Sequence, residues 1–370
     1  MVFKKQKSYE QLIKDHLKIL RSLQYKSGLF AASSKKVSTG YDKSWLRDNF
    51  YECLAFQVAG DYDTATHTYK ALLEIFLKHE WKIDHAVKQR PWEKHEYIHA
   101  RFHPETFDEF WEDWGNKQND AVGAILFGVG EVFKAGYFDH LGNTENVLRI
   151  VNKLVLYLES IEYYHDLDSG MWEEDEEVHA SSIGACVAGL QNVSEIPGIV
   201  ISKELISKGK KALNTLLPRE SKKKFTDLSQ LSLIYPYEVT TEKQTKEILA
   251  NVEYNLLKER GVVRYKNDYY YNKNVDGYSE EAEWTFGLAW LAIIHNRSGD
   301  HKKAKELIDT MIGLDTKLGL PELYFSNSEK YNENTPLGWT ESLFLVALFE
   351  LHENHHKKEK SAFKDVLHKK

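Results

Sequence analysis

Two cysteines in 370 residues, Cys53 and Cys186, leave little room for a disulfide framework. They stand far apart, neither belongs to a Cys-x-x-Cys pair, and both fall in apolar helical surroundings. Buried, reduced thiols and a cytoplasmic protein are the expectation. No apolar run approaches the ~18 residues that a membrane span needs. The basic start, Met1 to Lys7, is not followed by an apolar stretch, which argues against a secretory leader. Basic clustering is scarce: net charge is -7, and the one strong basic cluster is the tail after residue 356. Nucleic acid is therefore not an expected partner, and neither is a membrane. The chain also lacks a Walker loop, a Gly-x-Gly-x-x-Gly element after a strand, and a Gly-x-Ser-x-Gly elbow, so no cofactor is expected. His352, His355 and His356 sit at helical spacing, but no functional metal site is expected there.

What the chain has in quantity is aromatic rings. They make up 13% of it, with 9 Trp and 21 Tyr, and many fall in stretches without helical periodicity. Rings in loops suit flat, amphipathic ligands such as sugars, although any single one can equally be core.

Apolar periodicity predicts helices at 8–23, 45–59, 62–79, 116–135, 144–164, 179–193, 200–216, 227–234, 241–258, 279–298, 301–313 and 338–353. Residues 80–114 read as one long loop, 261–277 as loop or short strand, and 317–336 as a second aromatic loop. About twelve helices with almost no strand signal point to an all-α fold. The long loops follow alternate helices, so helices alternating between an inner and an outer ring would gather those loops at one end. That is an (α/α)6 barrel, a toroid of six hairpins. No Pro-, Gly- or Ser-rich linker interrupts it, so we expect one domain over 1–356 and a flexible basic tail over 357–370.

Several loop stretches carry chemistry. In Gly170-Met171-Trp172-Glu173-Glu174-Asp175 a tryptophan precedes two carboxylates. Its ring can stack on a pyranose and desolvate a carboxyl, keeping it protonated for general-acid work; a solvated acidic run is the plainer alternative. Trp45-Leu46-Arg47-Asp48 opens a helix: Arg47 can grip vicinal hydroxyls and Asp48 can hold it, or the two form a helix-start ion pair. Tyr41 lies just upstream. Trp114-Gly115 precedes Asp120, which reads as a structural first-turn carboxylate, whereas Trp114 reads as a ligand contact. Arg264 can reach a ligand or pair with Asp268. Pro321 fixes the backbone before Glu322, which alone would pass for a surface residue.

Together these stretches resemble glycoside hydrolase family 15, the glucoamylase family, in the family's own order. Trp45-Leu46-Arg47-Asp48 is similar to its W-x-R-D region, and Trp114-Gly115 with Gln118 and Asp120 to its W-G-x-x-Q-x-D segment. Met171-Trp172-Glu173-Glu174 resembles the W-E-E segment, and Arg264-Tyr265 with Asp268 and Tyr270-Tyr271-Asn272 resembles R-Y-x-x-D-x-Y-Y-N. Leu320-Pro321-Glu322 and Pro336-Leu337-Gly338-Trp339 resemble the base segment and the one after it.

The resemblance implies an (α/α)6 barrel and inverting hydrolysis of terminal α-linked glucose, releasing β-glucose. Glu173 would be the general acid and Glu322 the general base. Tyr41, Arg47, Asp48, Glu174 and Arg264 would hold the sugar, and Trp45, Trp114, Trp172, Trp284 and Trp339 would wall the pocket. Leu323 stands where many members have Gln, and Lys43 where some have a second Tyr. No segment matches the β-sandwich or starch-binding module of other members, so a short α-linked gluco-oligosaccharide is the expected substrate. The run Trp45 to Tyr51 also resembles the related barrel of phosphorylase kinase regulatory subunits, which implies a second possibility, a sugar-binding or regulatory barrel without catalysis.

Overall fold

A computed structural model describes residues 7–110, 112, 114–273 and 277–367, with side chains as far as residue 353. In chain order the helices are α1 (Tyr9–Leu23), α2 (Leu46–Val58), α3 (Tyr62–Lys78), α4 (Glu80–Lys88), α5 (Asn119–Lys134), α6 (Thr144–Ser160), α7 (Ala180–Val193), α8 (Lys203–Leu216), α9 (Glu242–Leu256), α10 (Phe286–Arg297), α11 (His301–Leu314) and α12 (Gly338–Leu367). A six-residue 3-10 helix, Leu228–Leu233, lies between α8 and α9.

Burial divides these elements into two rings. In α2, every residue from Leu46 to Phe56 is buried; in α10, every residue from Phe286 to Asn296 is. A helix buried all round must have neighbours on every side. Packing runs α2–α5–α7–Leu228–Leu233–α10–α12 and back to α2, so the inner ring closes. Outer helices α1, α3, α6, α8, α9 and α11 each bury one stripe, such as Val147, Ile150, Val151, Leu154 and Leu158 of α6. The result is the six-hairpin toroid expected from the sequence. Small residues let the inner helices approach closely: a Cβ on Gly123 of α5 would stand 2.5 Å from the backbone of Ala185 in α7.

The rings differ at their N-termini. Each outer helix opens on a side-chain cap, for example Ser8 for α1, Asp61 for α3 and Asp300 for α11. The inner helices α2, α5, α7 and α10 have none. Incoming loops satisfy their first N–H groups instead: Leu46 N–H donates to the Ala100 carbonyl at 2.9 Å, Ala180 N–H to the Glu220 carbonyl at 2.7 Å, and Asn119 N–H to Asp168 Oδ2 at 2.8 Å. The positive ends of the inner helices thus converge where the loops gather, an end that favours carboxylates.

Four expectations need correction. Residues 80–114 are not a continuous loop: α4 and a 3-10 turn, Lys94–Glu96, occupy part of it, and α4 packs on α6 outside the ring. The helix expected at 227–234 is 3-10, opened by a capping box between Asp227 and Gln230. The helix expected from 279 starts only at Phe286, because Glu283–Trp284 form strand β3, antiparallel to β4 (Leu323–Tyr324). A matching two-residue ladder joins Ser44–Trp45 to Arg101–Phe102. Helix α12 runs on to Leu367 rather than stopping near 353, so the expected tail begins within it; residues 368–370 lie outside the described residues. Among the described residues no helix is long and apolar enough to cross a membrane.

Candidate active site

At the N-terminal end of the inner ring the loops enclose a cavity of about 350 Å³, at the small end of ligand pockets. All twelve residues singled out in the sequence line it: Tyr41, Trp45, Arg47, Asp48, Trp114, Trp172, Glu173, Glu174, Arg264, Trp284, Glu322 and Trp339. Arg101, Tyr269, Tyr270 and Phe286 line it as well and had not been singled out as site residues.

Glu173 sits on a loop closed by a backbone pair, Asp168 with Glu177, at 2.9 and 3.0 Å. Its φ is 63°, in the left-handed region that a non-glycine residue occupies only when its surroundings impose it. Gly115 is one such constraint, since a Cβ there would lie 2.7 Å from the Glu173 carbonyl oxygen. The preceding ring is also fixed, because Trp172 Nε1 donates to Asp227 Oδ1 at 2.8 Å. Burial raises the Glu173 pKa to about 7; the Arg47 guanidinium opposes the shift and the Asp48 carboxylate adds to it.

Arg47 reaches Glu173 Oε1 at 3.3 Å through Nη2, while its Nη1 donates to Gln118 Oε1 and Asp120 Oδ2, both at 2.9 Å. Asp120 and Gln118 therefore anchor Arg47, where the sequence pointed to Asp48. Asp48 faces the cavity, its pKa raised to about 6 by burial against the pull of Arg47.

Glu322 is 2% exposed and enters from β4's edge. Thr285 N–H donates to its carbonyl at 3.0 Å, and its own N–H donates to the Asn334 carbonyl at 3.1 Å. Three donors meet its carboxylate: Tyr41 OH on Oε1 at 3.0 Å, and the amides of Asn332 and Asn334 on Oε2 at 2.5 and 2.8 Å. Burial raises its pKa, and those donors, which favour the ionised form, limit the rise. Neither asparagine carried a sequence signal beyond lying in an aromatic loop.

Arg264 is clamped at both ends. Its Nε and Nη2 donate to Asp268 at 2.7 Å each, and Nη2 also donates to Glu174 Oε1 at 3.1 Å. Arg264 thus pairs with Asp268, and it also lines the cavity. Glu174 further accepts from Tyr265 OH at 2.6 Å and Lys224 Nζ at 2.7 Å. Aromatic rings complete the enclosure. Trp339 stacks on Phe286 at 4.8 Å on one side, and Tyr41, Trp45 and Trp114 form a chain with centroids 5.4 and 6.2 Å apart on the other.

The profile of Glycosyl hydrolases family 15 matches residues 7–347. The chain belongs to this family. Among solved structures, a glycosidase variant in complex with glucose superposes with a TM-score of 0.78 at 19% identity, covering 94% of this chain and 99% of that one. A bacterial glucoamylase complexed with acarbose gives 0.68 at 14% identity, covering 94% of this chain and 56% of that one. These likenesses establish the fold. By sequence, the probable phosphorylase b kinase regulatory subunit alpha of Caenorhabditis elegans is 25% identical over 82% of this chain. The chain spans only 30% of that relative's length.

Proposed function

We propose that this family 15 chain is an inverting, exo-acting α-glucosidase that removes β-glucose from the non-reducing ends of short α-linked gluco-oligosaccharides. The observation that carries the reading is the contrast between two carboxyls on one cavity. Glu173, with its pKa raised to about 7, keeps a proton available near neutrality. Glu322 receives three hydrogen bonds that favour its ionised form. Environments that separate two carboxyls in this way assign acid and base roles.

In the reaction, Glu173 gives its proton to the glycosidic oxygen as the bond to the anomeric carbon breaks. Glu322 takes a proton from a water that attacks the same carbon from the opposite face, so the configuration inverts. The leaving sugar departs as a neutral alcohol, and Glu173 is left ionised and Glu322 protonated until solvent resets them. Arg47, held by Asp120 and Gln118, presents a fixed fork to hydroxyls, and Asp48 accepts from them. A cavity of about 350 Å³ walled by tryptophans suits a terminal sugar better than the middle of a long chain.

Paired substitutions test this. Glu173→Gln removes turnover of substrates with poor leaving groups while sugar binding persists, and Glu322→Ala loses activity that azide partly restores. Wild-type rates in either variant contradict the corresponding assignment. The second reading, a glycan-binding barrel without catalysis, is favoured by the likeness to phosphorylase kinase regulatory subunits. It predicts sugar-dependent tryptophan fluorescence with no turnover in the unsubstituted protein.

A further inference from the structure

Three arginines line the cavity, and one is provided for differently. Arg47 and Arg264 each pair with a carboxylate as buried as themselves, Asp120 and Asp268. Arg101 is 8% exposed, and its buried Nε, like that of Arg47, has no hydrogen-bond partner among the described residues. Its carboxylate partner is Glu112, whose side chain is 58% exposed. Lys43 Nζ stands 3.2 Å from the same carboxylate. Two cations, Arg101 in the cavity lining and Lys43 beside it, thus share one solvent-facing anion, a weak arrangement that an incoming anion can displace.

The cationic groups themselves are well seated. The Arg101 guanidinium lies 4.5 Å from the Trp114 ring centroid and 5.2 Å from that of Trp45, both cavity walls. Lys43 Nζ lies 4.2 Å from the Phe110 centroid, and Arg101 packs on the same ring at 5.3 Å. Backbone pairing adds rigidity, since Arg101 is the ladder partner of Trp45. A planar guanidinium held in place, whose outer nitrogen is held only by a solvent-facing carboxylate, is the group that recognises phosphate or carboxylate oxygens in pairs. Its position also bears on which sugar it meets: Arg101 lines the same cavity as Glu173, the carboxyl assigned to the leaving group, and its partner Glu112 faces solvent, so it meets a unit on the open side of the pocket.

We propose that the outer part of the cavity is an anion-accepting subsite, in which Arg101 and Lys43 bind a phosphate or carboxylate on the sugar unit beyond the scissile bond while Glu112 swings away. This rests on the glycosidase reading and sharpens it: the preferred substrate is an α-linked disaccharide or short oligosaccharide carrying a negative charge on its leaving unit.

The test compares initial rates for a cleaved neutral disaccharide, its counterpart with a phosphate on C6 of the leaving unit, and its counterpart with a uronate as leaving unit. In the unsubstituted protein one of the anionic substrates shows a kcat/KM roughly tenfold or more above the neutral one, carried mainly by KM and weakened by salt. Which one wins identifies the anion. Arg101→Met brings charged and neutral substrates to within about threefold of one another, and the milder Lys43→Gln narrows the gap part-way. Glu112→Gln widens the preference by removing the competing carboxylate. Equal kcat/KM for all three substrates, or a preference that survives Arg101→Met, overturns the proposal while leaving the glucosidase reading intact. If no substrate is turned over, fluorescence titration with the same sugars decides: Arg101-dependent tighter binding of a charged one upholds the subsite without the catalysis, and equal binding rejects it.

Discussion

Gly115 lies directly beneath the backbone of Glu173: a Cβ at position 115 would stand 2.7 Å from the Glu173 carbonyl oxygen and 3.1 Å from Ser169 Oγ. The glycine lets the loop before α5 press against the loop that holds Glu173 at φ 63°. Gly115→Ala should therefore push the carboxyl out of line and lower kcat by roughly 10- to 100-fold, because misplacement on the ångström scale costs that much. Far-ultraviolet circular dichroism and melting temperature should stay close to those of the unsubstituted protein. A variant with undiminished kcat would show that the contact does not position the acid.

The pH profile follows from the two carboxyls. Glu173 must be protonated, so kcat falls as pH rises through about 7. Glu322 must be ionised, so kcat falls as pH drops through its raised pKa. A bell with its optimum on the acid side of neutrality is the expected result. Asp48 supplies part of the upward shift on Glu173, so Asp48→Asn should move the alkaline limb of kcat to lower pH. An alkaline limb that stays in place would remove Asp48 from that role.

Asn332 and Asn334 favour the ionised form of Glu322 through hydrogen bonds of 2.5 and 2.8 Å. Removing a donor from the charged form raises its pKa. Asn334→Ala should shift the acid limb upward by roughly one pH unit, with a lower kcat at pH 5 and a smaller effect near neutrality. An unmoved acid limb would mean that the asparagine only packs.

Much of this was legible in the chain. The twelve helices and the alternation of long loops pointed to two rings; the inner helix Phe286–Arg297 is apolar almost all round and the outer Tyr9–Leu23 carries a single stripe. Tryptophans beside carboxyls marked the cavity. What stayed hidden depends on partners distant in sequence. Helix α4 buries only Lys82, Ile83 and Ala86, too little apolar signal for a nine-residue helix to stand out. Strand β3 exists because Leu323–Tyr324 lies beside it, so periodicity placed a helix there instead. The two asparagine donors to Glu322 follow it by ten and twelve residues in an irregular loop, and Arg101 is placed beside the cavity by its pairing with Trp45.

Ring closure between α1 and α12 includes a buried pair, His16 Nδ1 with Glu341 Oε2 at 2.6 Å, and the other Glu341 oxygen accepts from Leu320 N–H at 2.7 Å. Burial works against charge on His16, but Glu341 and Asp315 outweigh it and its pKa is raised. The histidine's contribution to stability is thus full below its ordinary pKa and is lost as pH rises through the raised value. His16→Ala leaves Glu341 buried without its partner and should cost about 3–5 kcal/mol in denaturant unfolding at pH 6. A loss under about 1 kcal/mol would place the pair among contacts of little consequence.

The most direct test is the stereochemistry of the first product. Neutral disaccharides and short oligosaccharides with α-1,4, α-1,6 and α,α-1,1 linkages, and the charged counterparts of any that are cleaved, would be incubated with the protein and followed by proton NMR before mutarotation. Release of β-glucose from an α-linked substrate, abolished in Glu322→Ala, is the predicted result and would name the linkage. Nascent α-glucose from the cleaved non-reducing unit, beyond the share that the leaving unit of a disaccharide contributes, would contradict the inverting mechanism; no release from any of them, while the same sugars still quench tryptophan fluorescence, would contradict catalysis itself.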